Sequence, residues 1–211
     1  MLLMPDQIHQ FRTIGVAEFQ PISARIARSW ANRVIEIPEE AWIANEVTTE
    51  FDDVCKYAIT DGPTTKMFLP EVFELYEQFR GELEELVEEG VHLSKWEKAT
   101  VNINRMKWKD RIGMHVDSNP LTVLLSLGHG NPTDFVLEDE SVISYVPKPG
   151  AAFVFWGKAL PHRVREEPYN RTRPRLTLPF NYYVDSDFSR PDWFDDYVYG
   201  NVSYGEVNAK G

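Results

Sequence analysis

Cysteine is nearly missing from this sequence: Cys55 is the only one in 211 residues. A lone cysteine excludes a disulfide framework within the chain, and with it the small cross-linked secreted scaffolds. Cys55 itself is expected to be a small buried apolar residue rather than a nucleophile. Long apolar runs are missing too. None approaches the roughly 20 residues that span a bilayer. The opening "MLLMPDQIHQFR" has no basic start followed by an extended apolar segment, so no secretory leader is expected and a reducing cytoplasm is the expected location. Positive charge is in deficit, with 22 Lys and Arg against 33 Asp and Glu, a formal net charge of -11. That balance disfavours simple affinity for a polyanion such as DNA.

What is present is ordinary for a soluble globular protein: 43% hydrophobic and 26% charged residues, in a chain long enough to bury a substantial core. The basic residues are unevenly spread. Twelve of the 22 fall within 95–111 and 158–175, where the acidic residues are only Glu97, Asp110, Glu166 and Glu167. If these segments meet, a basic region sits on an acidic body.

The first third, to about residue 95, reads mostly as helix. "AEFQPISARIARSWANRVIEI" carries Ile22, Ile26 and Trp30 at four-residue spacing. "PEVFELYEQFRGELEELVEEG", 70–90, is a clearer helix, with Pro70 suited to the first position and Gly90 to the stop. Val72, Leu75, Tyr76, Phe79, Leu83, Leu86 and Val87 form its apolar stripe, and the intervening glutamates a solvated face. From about residue 98 the period changes to two. "ATVNINRM", "LTVLLSL", "TDFVL", "VISYV", "AAFVFW", "PHRVR" and "RLTLPFNYYV" are strand candidates, separated by turn signals such as "GHGNP", "PKPG" and "EEPYN". Short strands at this spacing predict a sandwich or barrel, of which a double-sheet jelly roll is one form. The tail, 186–211, is acidic and aromatic and is expected to pack partly on the body and fray at its end. Neither a repeat nor a low-complexity linker interrupts the chain. One domain over 1–211 is expected, mainly β with packed helices.

Within "RIGMHVDSN", His115 and Asp117 stand two apart, so on a strand they point to the same side. Alone, such a pair is usually two ordinary polar residues. Some forty residues later His162 opens a strand, and Arg173, Arg175 and Thr177 share parity at the head of another. Two histidines and one carboxylate on one face of a metal leave neighbouring coordination positions open, the arrangement of non-haem Fe(II) oxygenases. His9, His92 and His129 are read as structural, with His129 a weak alternative ligand in its turn. An Arg beside a hydroxyl suits a buried carboxylate, because a guanidinium offers two parallel N–H donors.

These pieces together resemble the Fe(II)/2-oxoglutarate-dependent oxygenases, built on a double-stranded β-helix. The resemblance covers about residues 98–184: His115-Val-Asp117, a long gap, His162, then Arg175-Leu-Thr177. "VNINRMKWKDRIGMHVD" also resembles the AlkB-like branch, where an Asn and a Tyr hydrogen-bond the co-substrate. Asn104 matches the Asn, but Met106 stands where the Tyr would be, and the pair of arginines that ends that branch is not matched. "RLTLPF" is closer to the Arg-x-Ser ending of TET-like and plant-type enzymes. The resemblance implies Fe(II) held by His115, Asp117 and His162, and 2-oxoglutarate held by Arg175 with Thr177 and Asn104, Arg173 being the substitute. It implies oxidation of a C–H bond with release of succinate and CO2. A carboxylate at Asp117 argues against halogenation, for which the family's halogenases carry a small residue. A small molecule, amino acid or side chain is the expected substrate. The alternatives are a nucleobase in nucleic acid, stacked on Trp108 or Trp156, and a non-catalytic metal-binding module. Substrate contacts are expected from 40–66 and 118–120.

Overall fold

The computed structural model describes residues 3–166 and 173–208. The turn "EEPYN" beyond Glu166, Arg171 of the second basic segment and the last three residues of the tail lie outside the described residues.

The N-terminal part contributes α1 (Pro5–Ile14), β1 (Val16–Phe19), α2 (Ala24–Ile35), β2 (Ile43–Thr48), β3 (Val54–Ile59), α3 (Gly62–Phe68), α4 (Val72–Val87) and β4 (Val91–Leu93). It is therefore less helical than the sequence predicts, because four short strands complete a sheet whose other members come much later. β5 (Asn104–Met106), β6 (Ile112–His115), β7 (Leu121–Ser126), β8 (Thr133–Val136), β9 (Val142–Tyr145), β10 (Ala152–Trp156), β11 (His162–Val164) and β12 (Arg175–Val184) follow, and all but β6 fall on the predicted period-two segments. The tail carries α5 (Phe194–Tyr199) and α6 (Tyr204–Asn208).

The strands form two antiparallel sheets. The larger runs β1-β10-β7-β12-β5-β3-β2, with β4 also paired to β12, and the smaller runs β6-β11-β8-β9. This is the double-stranded β-helix, with helices covering one face of the larger sheet. Strand parity decides which side chain meets which layer. On β12, Leu176, Leu178, Phe180, Tyr182 and Val184 pack into the helix-covered core with Phe79 and Leu83 of α4. The alternate residues Arg175, Thr177, Pro179 and Asn181 face an internal cavity between the sheets.

The end of α4 differs from the prediction. Glu88, not Gly90, takes the left-handed position, at φ 61°. Gly90 answers a different need: a Cβ there would lie 2.4 Å from Asp185 Oδ2, the carboxylate that accepts its N–H at 3.1 Å. The glycine admits the end of β12 rather than stopping the helix.

Candidate metal centre and cavity

β6 and β11 are neighbours in the smaller sheet, and their register sets His162 directly opposite His115. The two ring centroids are 4.2 Å apart. β6 ends at His115, so Asp117 reaches the pair from the segment beyond the strand rather than by the strand pleat. Its N–H is held by Gly157 O at 2.9 Å. Asp117 Oδ1 lies 3.7 Å from Nε2 of each histidine. Among the described residues these three side chains form the one group of at least three whose ligand atoms could hold a metal ion, all within 4.8 Å of one another.

The atoms behind the triad fix its orientation. Nδ1–H of His115 donates to Gly113 O at 2.8 Å, and Nδ1–H of His162 donates to Leu160 O at 3.0 Å. Both Nε2 lone pairs are thereby turned to the shared centre. Thr122 Oγ1 donates to Asp117 Oδ2 at 2.5 Å, leaving Oδ1 for a metal, and receives Nδ2–H of Asn119 at 2.8 Å. Phe135 and Phe155 flank His162, which is 5% exposed. Burial, with His115 beside it, pushes the His162 imidazole down to about 4. It is neutral at pH 7, the state a metal ligand requires.

Three supports of this centre carry no local sequence signal. Asp53 Oδ2 accepts the Met114 N–H and Glu50 Oε1 accepts the Val116 N–H, at 2.8 and 2.7 Å, so the β2–β3 hairpin grips the backbone on both sides of His115. Burial alone would raise the Asp53 carboxyl, but the Met114 and Val54 N–H groups, together with the charges of Arg111 and Arg163, hold the group below its ordinary range. Gly157 is the third. A Cβ there would sit 2.6 Å from Asn119 O and 2.9 Å from Asp117 Oδ2. Residues 40–66, expected to meet substrate, thus also hold the metal strand.

Beside the triad is a cavity of about 110 Å³, room for more than a single water. Arg175, 1% exposed, lines it, its Nη2 donating to Thr133 Oγ1 at 2.9 Å. The stem of Arg175 is covered by the "GHGNP" loop: a Cβ on Gly130 would fall 2.4 Å from its Cγ. Register puts Thr177 opposite Asn104 and Arg175 opposite Met106. Thr177 Oγ1 and Asn104 Oδ1 are buried with no hydrogen-bond partner. Unmet buried polar atoms are costly, of order 1–3 kcal/mol each, and both line the cavity. Arg173 is not brought to this site. It precedes β12, is exposed, and donates to Asn32 Oδ1 on α2 at 3.3 Å. His9 and His129 are exposed, and His92 pairs with Asp185.

The two basic segments do meet, since Arg175 pairs with Met106, and four of their cations share two carboxylates. Arg105 and Lys107 share Glu39, whose carboxyl they hold down to about 2, and Arg163 and Arg165 share Asp134. Trp156 packs against Phe11, while Trp108 is 58% exposed with Lys109 over its ring.

Solved structures match this architecture over nearly the whole chain. An oxidoreductase of the 2OG-Fe(II) oxygenase family from Burkholderia pseudomallei aligns over 84% of this chain and 89% of its own, at 17% identity and TM-score 0.64. This is the fold of the 2OG-Fe(II) oxygenases. The α-ketoglutarate-dependent carbocyclase SnoK of nogalamycin biosynthesis aligns over 92% of this chain and 88% of its own, at 14% identity and TM-score 0.69. A prolyl-4-hydroxylase from Pseudomonas putida aligns over 85% and 97%, at 16% identity and TM-score 0.61. HygX from Streptomyces hygroscopicus, at 11% identity and TM-score 0.62, was solved with nickel and 2-oxoglutarate bound. Neither a protein-family model nor a curated protein sequence matches the chain.

Proposed function

We propose that this chain is a non-haem Fe(II), 2-oxoglutarate-dependent dioxygenase that hydroxylates a C–H bond, converting R–H, O2 and 2-oxoglutarate to R–OH, succinate and CO2. One observation carries the reading. His115 Nε2, His162 Nε2 and Asp117 Oδ1 converge on the wall of a cavity that also holds buried Arg175 and the unpartnered Thr177 Oγ1. The donor set fits iron: two neutral imidazoles and one carboxylate are the facial triad of such enzymes. The cavity fits the co-substrate. A far carboxylate seated against Arg175 gains a charge-assisted partner, and Thr177 gains an acceptor for its hydroxyl. A half-turn of the Asn104 amide would offer Nδ2–H to the same ligand.

When bound, the iron supplies the O2 chemistry. The protein's residues do the rest. Gly113 O and Leu160 O hold the imidazoles in the ligating tautomer, Thr122 leaves one oxygen of Asp117 free, and Arg175 sets the co-substrate's position. A small molecule or a peptide side chain is the substrate on this reading; an epimerase, a carbocyclase and prolyl hydroxylases share the fold. A nucleobase substrate has less support, because among the described residues no lysine lines the cavity and its one arginine, Arg175, is taken by the co-substrate on this reading.

The test is succinate release from 2-oxoglutarate with Fe(II) and air. The purified protein should turn over, slowly without substrate, and His162→Ala should abolish release while the circular dichroism spectrum is retained. Undiminished release by His162→Ala would contradict the proposal.

A further inference from the structure

We infer that the substrate group seated in this cavity is uncharged and brings a hydrogen-bond donor to Asn45. The inference rests on the dioxygenase reading and narrows its substrate class. Among the described residues lining the cavity, the ionisable side chains other than Cys55 and the tyrosines are His115, Asp117, His162 and Arg175. On that reading the metal takes the first three and the co-substrate carboxylate takes the fourth. Any further charge entering the cavity would be buried with no counter-charge, which is costly by several kcal/mol or more. The remaining polar lining consists of amides and hydroxyls.

Asn45 is an amide whose direction is committed while its oxygen is left unmet. It is 2% exposed, on β2. Its Nδ2 donates to the carbonyls of Val198 and Tyr197, at 2.8 and 3.4 Å, at the end of α5. The amide cannot be turned without losing both bonds. Oδ1, at the other end of the amide, is buried and without a partner, in a side chain that lines the cavity. By contrast, Asn102 uses both ends within the protein, donating to Thr60 O and Lys98 O and accepting from Asn181. A buried, unmet acceptor with fixed direction asks for a ligand O–H or N–H. The surroundings are aromatic: Tyr57 is the cross-strand partner of Asn45, and Phe194 and Tyr197 of the tail complete the wall. The fitting class is a neutral molecule or capped side chain with an apolar body and a hydroxyl or amide N–H. An ammonium, carboxylate or phosphate group of the substrate does not fit within the cavity.

Four probes of similar size test this by NMR on the 15N-labelled protein loaded with Zn(II) and 2-oxoglutarate: acetamide, N,N-dimethylacetamide, acetate and methylammonium. Acetamide should shift the Asn45 side-chain resonances saturably, at a concentration at least about tenfold below that needed for the other three. In Asn45→Asp, read through Tyr57 and Tyr197, methylammonium should become the strongest binder. Acetate or methylammonium matching acetamide on the unmutated protein overturns the inference, as does a loaded protein that none of the probes perturbs. Failure of 2-oxoglutarate itself to shift Thr177 is a separate result, which removes the dioxygenase reading and this inference with it.

Discussion

His162 shows how one residue's surroundings set its chemistry. Its folded pKa of about 4 lies below the ordinary 6.5 because burial penalises the imidazolium. Between those values the unfolded chain binds the extra proton, so the stability this group contributes is present above pH 6.5 and drains away as pH falls toward 4. The slope is at most about 1.4 kcal/mol per pH unit. Urea denaturation of metal-free protein should show the unmutated chain losing about 3 kcal/mol relative to His162→Leu between pH 7 and pH 4. Parallel curves would contradict the assignment. Gly157 and Thr122 act through Asp117. Gly157→Ala, which drives a methyl group into Asn119 O and Asp117, and Thr122→Val, which removes the Oδ2 partner, should each weaken Zn(II) binding about 10–100-fold by titration. Unchanged affinity in both would mean that the carboxylate needs neither support. The triad was legible in the sequence by residue type, order and spacing. Its supports were not, because Glu50, Asp53 and Gly157 act through backbone contacts made only when distant segments meet.

At the scale of elements, β12 is the piece that sequence reading resolved best. Its parity separates a face of Leu, Phe and Tyr, packed under α4, from a face carrying Arg175 and Thr177. Arg173 shares that parity on paper but stands before the strand begins, so pleat geometry does not apply to it. Arg175→Ala should raise the 2-oxoglutarate requirement about 100-fold or more, and Arg173→Ala should leave it unchanged. The reverse result would relocate the co-substrate. β2 and β3 were hidden inside a stretch read as helical. They lie at the end of a sheet whose order joins them to β5, and such non-local pairing leaves little local signal. The tail is anchored along β2: Asn201 Oδ1 accepts the Glu46 N–H at 2.7 Å and Ser203 Oγ accepts the Thr48 N–H at 3.2 Å. Tyr197 and Val207 pack with Val47, Cys55 and Ile112. Ending the chain at residue 192 should lower stability by roughly 3 kcal/mol or more in urea, since each buried side chain contributes about 1.5–3 kcal/mol. A loss within error would show that the tail is only loosely docked.

At the scale of the whole molecule, two sheets give one cavity its two ends. The smaller sheet supplies both histidines by cross-strand register, and the larger supplies Arg175, Thr177 and Asn104 on adjacent strands. The tail closes a third side with Phe194, Tyr197 and Tyr199. Lys158 holds Asp187 at 2.6 Å and Arg190 Nε donates to Ser118 Oγ at 3.3 Å, tying the tail to both turns that carry Asp117 and Gly157. The acidic excess seen in the composition does not reach inside: Asp117 is the one carboxylate lining the cavity among the described residues. The measurement that bears most directly on this picture is an anaerobic titration with Fe(II) in the presence of 2-oxoglutarate, followed in the visible. One equivalent of iron should produce a weak charge-transfer band, dependent on 2-oxoglutarate and absent in His162→Ala. A folded protein that gives no band, or a band that persists in His162→Ala, would contradict the account.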